Sequence, residues 1–376
     1  MSSTKVAQWV AESPPAEVQR AVDRLARDED VHRVAVMPDV HLSKEVCVGV
    51  ALATHRTLCP AAVGGDIGCG MAALAFDAPA ELLADASKAA SLLEGLYETV
   101  PIMRHRRSAG VELPAELTER TLSEAALEAT KEREAALQFG TLGRGNHFVE
   151  LQADEAGGLW LMVHSGSRGM GQAIRQAHER KGRRNRAGIA VLEADSEEGR
   201  AYLSDLQWAL DYAARSRERM VERVGEVLAA LFGIRPRAPT ALSCHHNFVR
   251  RELHEGQSLW VHRKGAISAR AGELGIIPGS MGTASFHVEG RGCTAALCSS
   301  SHGAGRAMSR SVARRRITGA QLSDSMEGIW FDRRLRSRLL EEAPDAYKDI
   351  GAVMRAQREL TRATRRLTPL LVFKGG

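Results

Sequence analysis

Hydrophobic and polar positions along this chain follow two rhythms. Between about 197 and 231, Leu203, Leu206, Leu210, Ala213, Val221, Val224 and Leu228 return near a 3.6-residue period, which predicts a long amphipathic helix. Asp195 or Ser196 can cap its start, and Gly233 with Pro236 ends it. Trp208 and Tyr212 lie near the same stripe and read as core. Segments 84–98 and 115–137, rich in Ala, Leu and Glu, read as two further helices. The other apolar runs are short. "RVAVM" leads into "PDVHLSK", "LWLMV" into "HSGSRGMG", "ALSC" into "HHNF", "LWVH" into "RKGA", and "LLVF" into "KGG". Such runs predict strands that stop where His, Asp or Lys begins, holding each group at a sheet edge. Five such endings, spread from residue 38 to residue 374, imply one site assembled from the whole chain. The expected architecture is one α+β domain over 1–376, with mixed sheets, peripheral helices and a mostly helical insertion at 172–235.

Composition narrows the class. The chain has 376 residues, 44% hydrophobic and 26% charged, which is ordinary for a soluble globular protein. Its N-terminus, "MSSTKVAQWV", has no apolar run of signal-peptide length, and no later run could span a bilayer, so a cytoplasmic protein is expected. Six cysteines without a C-x-x-C spacing fit the same reducing compartment. The net charge of +5 is carried largely by arginine clusters at 104–107, 180–186, 314–316 and 361–366. Arginine suits bidentate phosphate contacts, so a nucleic-acid partner is one reading. Solvated helix faces are the other.

Candidate chemistry lies in the glycine-rich segments. In "VGGDIGCGM", Asp66 and Cys69 stand three apart in a loop that glycine lets bend sharply. "GRGNHFVE" holds His147 beside Asn146 with Glu150 three beyond, "VHSGSRG" holds His164, and "CHHNF" carries two adjacent histidines before Asn247. A mixed N, O and S set of this size suits one or two divalent metals, and softness alone favours zinc over manganese. "IPGSMGTASF" at 277–286 is a small-residue loop whose amides can approach a ligand, although no Walker motif occurs. "SSSHGAGRAMSR" strips bulk from around His302. A largely neutral imidazole with open space before it can attack phosphorus in line, and Arg306 could neutralise charge on the phosphate oxygens.

These motifs, in order from about residue 35 to 376, resemble the RtcB family of RNA-splicing ligases: "MPDVHLSKEVCVGV", "GGDIGCGM", "GTLGRGNHFVE", "HSGSRGMG", "CHHNF", "HRKGA", "IPGSMG", "SHGAGRAMSR" and "KGG". The resemblance implies a mainly antiparallel α+β fold around a central metal and nucleotide site. It also implies a GTP- and manganese-dependent ligase, with two manganese ions, that joins RNA 3′-phosphate or 2′,3′-cyclic phosphate ends to 5′-hydroxyl ends. His302 would be guanylylated, and Asp66, Cys69, His147, His164 and His246 would hold the metal. His246 is chosen over His245 because it directly precedes Asn247. Asn146, Phe148, Val149, Glu150, Asn247, Pro278, Gly279, Ser280, Met281, Ser285, Gly303, Ala304, Gly305 and Lys374 would line the guanylate pocket beside His147, His246 and His302. Glu150 is the expected reader of guanine, and Arg168 and Arg306 would hold RNA phosphate, while His41 has no assigned role. Ser43, Glu45, Gly65 and Arg144 depart from the family pattern and mark a divergent, shorter branch in which the activating partner is unassigned. Alternatives are an enzyme that guanylylates 3′-phosphate ends but seals poorly, a non-catalytic RNA-end-binding protein, or a metal-dependent hydrolase.

Overall fold

The computed structural model describes residues 5–105 and 108–375. Arg106 and Arg107 of the first arginine cluster, and Gly376 of the terminal "KGG", lie outside the described residues.

Two sheets carry the site. The first has five strands: β1 (Val6–Gln8), β2 (Val31–His41), β3 (Val48–Thr54), then β9 (Gln257–Lys264) and β8 (Asn247–His254), in the order β1-β2-β3-β9-β8. The second has eight. Its main path starts with β7 (Leu242–His245), β4 (Gly70–Pro79), β6 (Gly158–Ser165) and β5 (Phe148–Asp154), and continues through β14 (Thr361–Lys374), β12 (Ser285–Gly290) and β11 (Leu274–Ile277). Trp330–Phe331 adds a short strand beside β14. All pairs are antiparallel except β1 with β2 and that short strand with β14. A small ladder of β10 (Ala266–Ser268) with β13 (Ser299–Ser301) delivers the chain to His302.

The long helix α6 forms over Glu197–Phe232, as its period predicts. The Ser196 hydroxyl accepts from the Gly199 amide, and Gly233 ends it at φ 70, the left-handed conformation that glycine tolerates best. Trp208 and Tyr212 are fully buried in a core cluster that also holds Val63, Ile67, Met170 and Phe248. The 84–98 expectation becomes α2 (Ala86–Thr99). The 115–137 expectation splits into α3 (Ala115–Thr118) and α4 (Ala125–Gln138). The break has a tertiary cause: Ser123 N and Oγ both donate to the fully buried Asp205 of α6, at 2.9 and 2.6 Å. Those bonds hold 119–124 out of helical register. α5 (Arg168–Lys181) lies beside α4 and α6.

The strands do not stop where the polar residues begin. β2 runs on through Pro38, Asp39 and His41, β9 ends on Lys264, and β14 includes Lys374. Lys264 and Lys374 stay paired to Val50 and Phe148 while β2 bulges away from β3 between Val36 and His41, and His41, Lys264 and Lys374 line an interior cavity.

Candidate active site

Strand ends and loops from both sheets converge on a cavity of about 380 Å³. His302 follows β13 directly. Its Nδ1 lies 2.6 Å from Asp39 Oδ2 and its backbone N donates to the same oxygen at 3.1 Å. An ionised carboxylate only accepts, so Nδ1 carries the proton and the lone pair is left on Nε2. Asp39 is fully buried, which holds this tautomer firmly. A Cβ at Gly305, where φ is 72, would run into the Asp39 carbonyl; bare backbone lets the loop after His302 close onto β2. His41 Nδ1 donates to the Asp39 carbonyl at 3.0 Å, and burial, with His302 nearby, pulls His41 down to about 4.

Beside His302 stands a donor cluster. Cys69 Sγ is 3.4 Å from His147 Nε2 and 3.2 Å from His164 Nε2, and Asp66 Oδ2 is 3.0 Å from His147 Nε2. His246 bridges the two groups: its ring centroid lies 5.2 Å from His164 and 4.8 Å from His302. Register explains part of the convergence. Met71 of β4 and Phe148 of β5 both pair with His164 of β6, so the Cys69 loop and His147 flank His164 from either side.

The chemistry of this donor set fits a divalent cation. Burial holds His147, His164 and His246 below the usual imidazole range, leaving neutral rings with lone pairs to give. Burial, with the Asp66 charge, pushes the Cys69 thiol well up, so a cation is what would make it a thiolate. His246 Nδ1 is buried without a hydrogen-bond partner among the described residues. His164 Nδ1 donates to the Asn146 carbonyl at 3.0 Å, which directs its Nε2 to the cluster. Arg168, at φ 55, donates to His147 Nδ1 at 2.7 Å and puts that ring's proton on Nε2, between Asp66 and Cys69, where a cation would replace it.

The opposite wall suits a nucleotide. Glu150 is 2% exposed, and burial raises its carboxyl to about 8 against the opposing Gln152 hydrogen bond and Lys374 charge. Lys374, next to the glycines of the terminal "KGG", is 6% exposed and pairs with Glu342 at 3.1 Å. Glu342 also accepts from Tyr347 Oη at 2.6 Å and Arg306 Nη1 at 3.2 Å. Asn146, Phe148 and Asn247 line the cavity, as does the 278–285 loop with Pro278, Gly279, Ser280, Met281 and Ser285. Ala304 N donates to the Pro278 carbonyl at 3.0 Å and ties that loop to Gly303 and Gly305.

Two residues sit differently from the sequence expectation. Val149 turns away from the cavity into the core with Leu151 and Val163, because successive strand residues face opposite sides. Arg306 lines the cavity, but Glu342, the Glu341 and Met308 carbonyls and the Tyr347 hydroxyl engage its guanidinium. These bonds fix it in the cavity wall. Asp39, Glu342, Tyr347 and Lys264 are site residues that the sequence reading left unassigned. Asp39 and Lys264 stood in quoted motifs, which was the available signal.

The departures have local partners. Glu45 pairs with Arg175 at 2.6 Å and Arg184 at 3.8 Å, so its charge is answered by α5 and the segment after it. A side chain at Gly65 would strike the Gln172 amide. Ser43 Oγ lies 3.5 Å from Lys264 Nζ.

Against known proteins, a family model described as tRNA-splicing ligase RtcB matches residues 22–375. The RNA-splicing ligase RtcB of Escherichia coli strain K12 is 38% identical over 373 residues, covering 91% of this chain and 90% of that one. RNA-splicing ligase RtcB2 of Escherichia coli strain ATCC 25922 is 32% identical over 370 residues, with 92% and 88% covered. RNA-splicing ligase RtcB of Mycobacterium tuberculosis is 34% identical over 284 residues, with 63% and 65% covered. With its motifs gathered around one cavity and matched along nearly its whole length, this chain belongs to the RtcB family.

Proposed function

We propose that this chain is a GTP- and manganese-dependent RNA ligase, one cytoplasmic catalytic domain over 1–376 with 172–235 as a helical insertion. It joins a 3′-phosphate or 2′,3′-cyclic phosphate end to a 5′-hydroxyl end in RNA repair or tRNA splicing. The observation that carries the reading is His302, its Nδ1 held by Asp39 at 2.6 Å so that Nε2 is the ring nitrogen left for a phosphate, in a cavity that also holds Glu150 and Lys374.

His302 Nε2 attacks the α-phosphorus of GTP, the bond to the β-phosphate oxygen breaks, and pyrophosphate leaves. The proton stays on Nδ1, hydrogen-bonded to Asp39, whose negative charge stabilises the cationic ring of the phosphoramidate. An oxygen of the RNA 3′-phosphate then takes the GMP group from Nε2. The 5′-hydroxyl attacks that activated phosphate, forming the phosphodiester and releasing GMP; a cyclic phosphate is hydrolysed first. Asp66, Cys69, His147, His164 and His246 would hold the metal, which supplies positive charge to phosphate oxygens and to the leaving pyrophosphate. Manganese is assigned by family, since the donor set alone suits zinc equally well. Glu150 reads the guanine edge.

Incubation with manganese and GTP labelled at the α-phosphate, followed by a denaturing gel, tests the reading. The expected result is an acid-labile, base-stable labelled band with GTP and not with ATP. Absence of label in metal-loaded protein overturns it and favours RNA-end binding without catalysis.

The RNA path has its own expected result. Arg183 pairs with Glu193, Arg186 with Glu29 and Arg362 with Glu289, which favours the solvated-face reading for those clusters. Arg144, Arg315 and Arg316 are exposed and unpaired among the described residues. If these three meet RNA phosphate, the slope of log affinity against log salt lessens by about 0.7 for each one replaced by alanine. An unchanged slope in titrations of labelled RNA returns them to solvent.

A further inference from the structure

Gln152 sits two residues beyond Glu150 on β5, so the two side chains leave the strand on the same face. It is fully buried, and its Nε2 donates to Glu150 Oε1 at 2.6 Å. Glu150 lines the cavity, whereas Gln152 does not. The Gln152 Oε1 atom is buried with no hydrogen-bond partner among the described residues. A buried amide left half satisfied is costly, so its single directed bond calls for an explanation. That bond reaches the carboxylate that faces the base.

Guanine presents two donors on its pairing edge, N1–H and the exocyclic amine. Adenine presents an acceptor, N1, beside its amine. An ionised carboxylate accepts from both guanine donors. A protonated carboxyl, with one O–H and one C=O, instead matches adenine. Base choice therefore depends on the rotation of the Glu150 group and on where its proton is.

We propose that Gln152 is the positioning residue for base selection: its N–H, donated to Oε1, fixes the Glu150 carboxylate in the rotation and ionised form that accept from guanine. The inference rests on the guanylate-pocket reading above. The surroundings make such a device necessary, because burial favours the protonated form of Glu150 and only two groups oppose it, the Gln152 hydrogen bond and the Lys374 charge on β14. Lys374 is itself shared with Glu342. The residues paired with Glu150 on the neighbouring strands, Met162 and Val372, are apolar and contribute no charge.

The test is Gln152→Met, which keeps length and removes the N–H, read by enzyme–GMP and enzyme–AMP formation across pH 6 to 8.5. Glu150 is pushed up to about 8, so guanine recognition strengthens as pH rises through that value and weakens below it. In Gln152→Met the midpoint moves higher. KM for GTP at pH 7 is expected to rise about tenfold, a shift of one pH unit in that midpoint, while kcat changes little. The GTP-to-ATP preference falls in step, and the defect shrinks towards pH 8.5. A merely structural role would give a defect independent of pH, and that result, or an unchanged KM ratio, overturns the proposal. Should Gln152→Met fail to fold, Gln152→Asn keeps an amide but stops one carbon short of Glu150, with the same two outcomes. Wild type that takes no label from GTP defeats the guanylylation reading and this inference together. Wild type that labels, beside a variant that is unchanged, defeats this inference alone.

Discussion

Replacing His302 with alanine is expected to abolish the covalent enzyme–GMP adduct while the protein stays folded. The ring is 16% exposed, so its loss empties space that already opens to solvent. What remains is the Asp39 carboxylate, buried and short of the ring N–H, at a cost of about 1–3 kcal/mol. A chain with cores as extensive as these tolerates that loss. Labelling with α-phosphate-labelled GTP, run beside a thermal melt, reads both quantities. A folded His302→Ala protein that still takes label would remove His302 as the nucleophile. Asp39→Asn is the sharper companion. It keeps the imidazole and its space but offers an amide where the ring needs an acceptor for its Nδ1 proton. A drop on the order of 10⁴ in labelling rate is expected, the scale seen when a histidine's orienting carboxylate becomes an amide. An Asn variant near wild-type rate would show that Asp39 only supports the loop.

Replacing Cys69 with alanine should strip metal from the protein. Its sulfur sits within 3.4 Å of two imidazole nitrogens, is 2% exposed, and is the only soft donor in the cluster. Loss of a group that merely orients a ligand costs about 10–100-fold in metal affinity, so loss of a ligand costs at least as much. The metal-to-protein ratio after dialysis, measured by elemental analysis, should therefore fall steeply, with labelling lost in parallel and restored in part by excess metal. An unchanged ratio would take Cys69 out of the ligand set and leave Asp66, His147, His164 and His246 to account for the ion.

Much of this site was legible in the sequence because its residues announce themselves locally. Asp66 and Cys69 share one glycine-rich loop, and His147, His164 and His246 stand where apolar runs meet glycine or asparagine. The long helix was legible for a related reason, since its period and cap are properties of contiguous residues. What escaped depends on contacts that sequence spacing does not record. Asp39 was visible in "PDVH", yet its partner is 263 residues away. Glu342, in "LLEEAPD", looks like ordinary surface charge until folding places Lys374, Tyr347 and Arg306 around it. The break between α3 and α4 was hidden likewise, because Asp205 on another helix causes it. The partners of Arg306 were hidden too: spacing shows a cation beside His302, and only the fold sets its guanidinium against Glu342 and the Glu341 carbonyl.

The position of β14 has a consequence for how the molecule is made. This strand, the last in the described chain, lies between β5 and β12, so the larger sheet stays in two pieces until it arrives. During synthesis, β5 and β12 each wait with an open edge, the kind of surface that invites pairing with another chain. The strand that seals both edges also carries Lys374 into the cavity. Protection from aggregation and completion of the cavity wall thus arrive in one event. A nascent chain halted before residue 361 would leave both edges open and the cavity without the wall that β14 supplies.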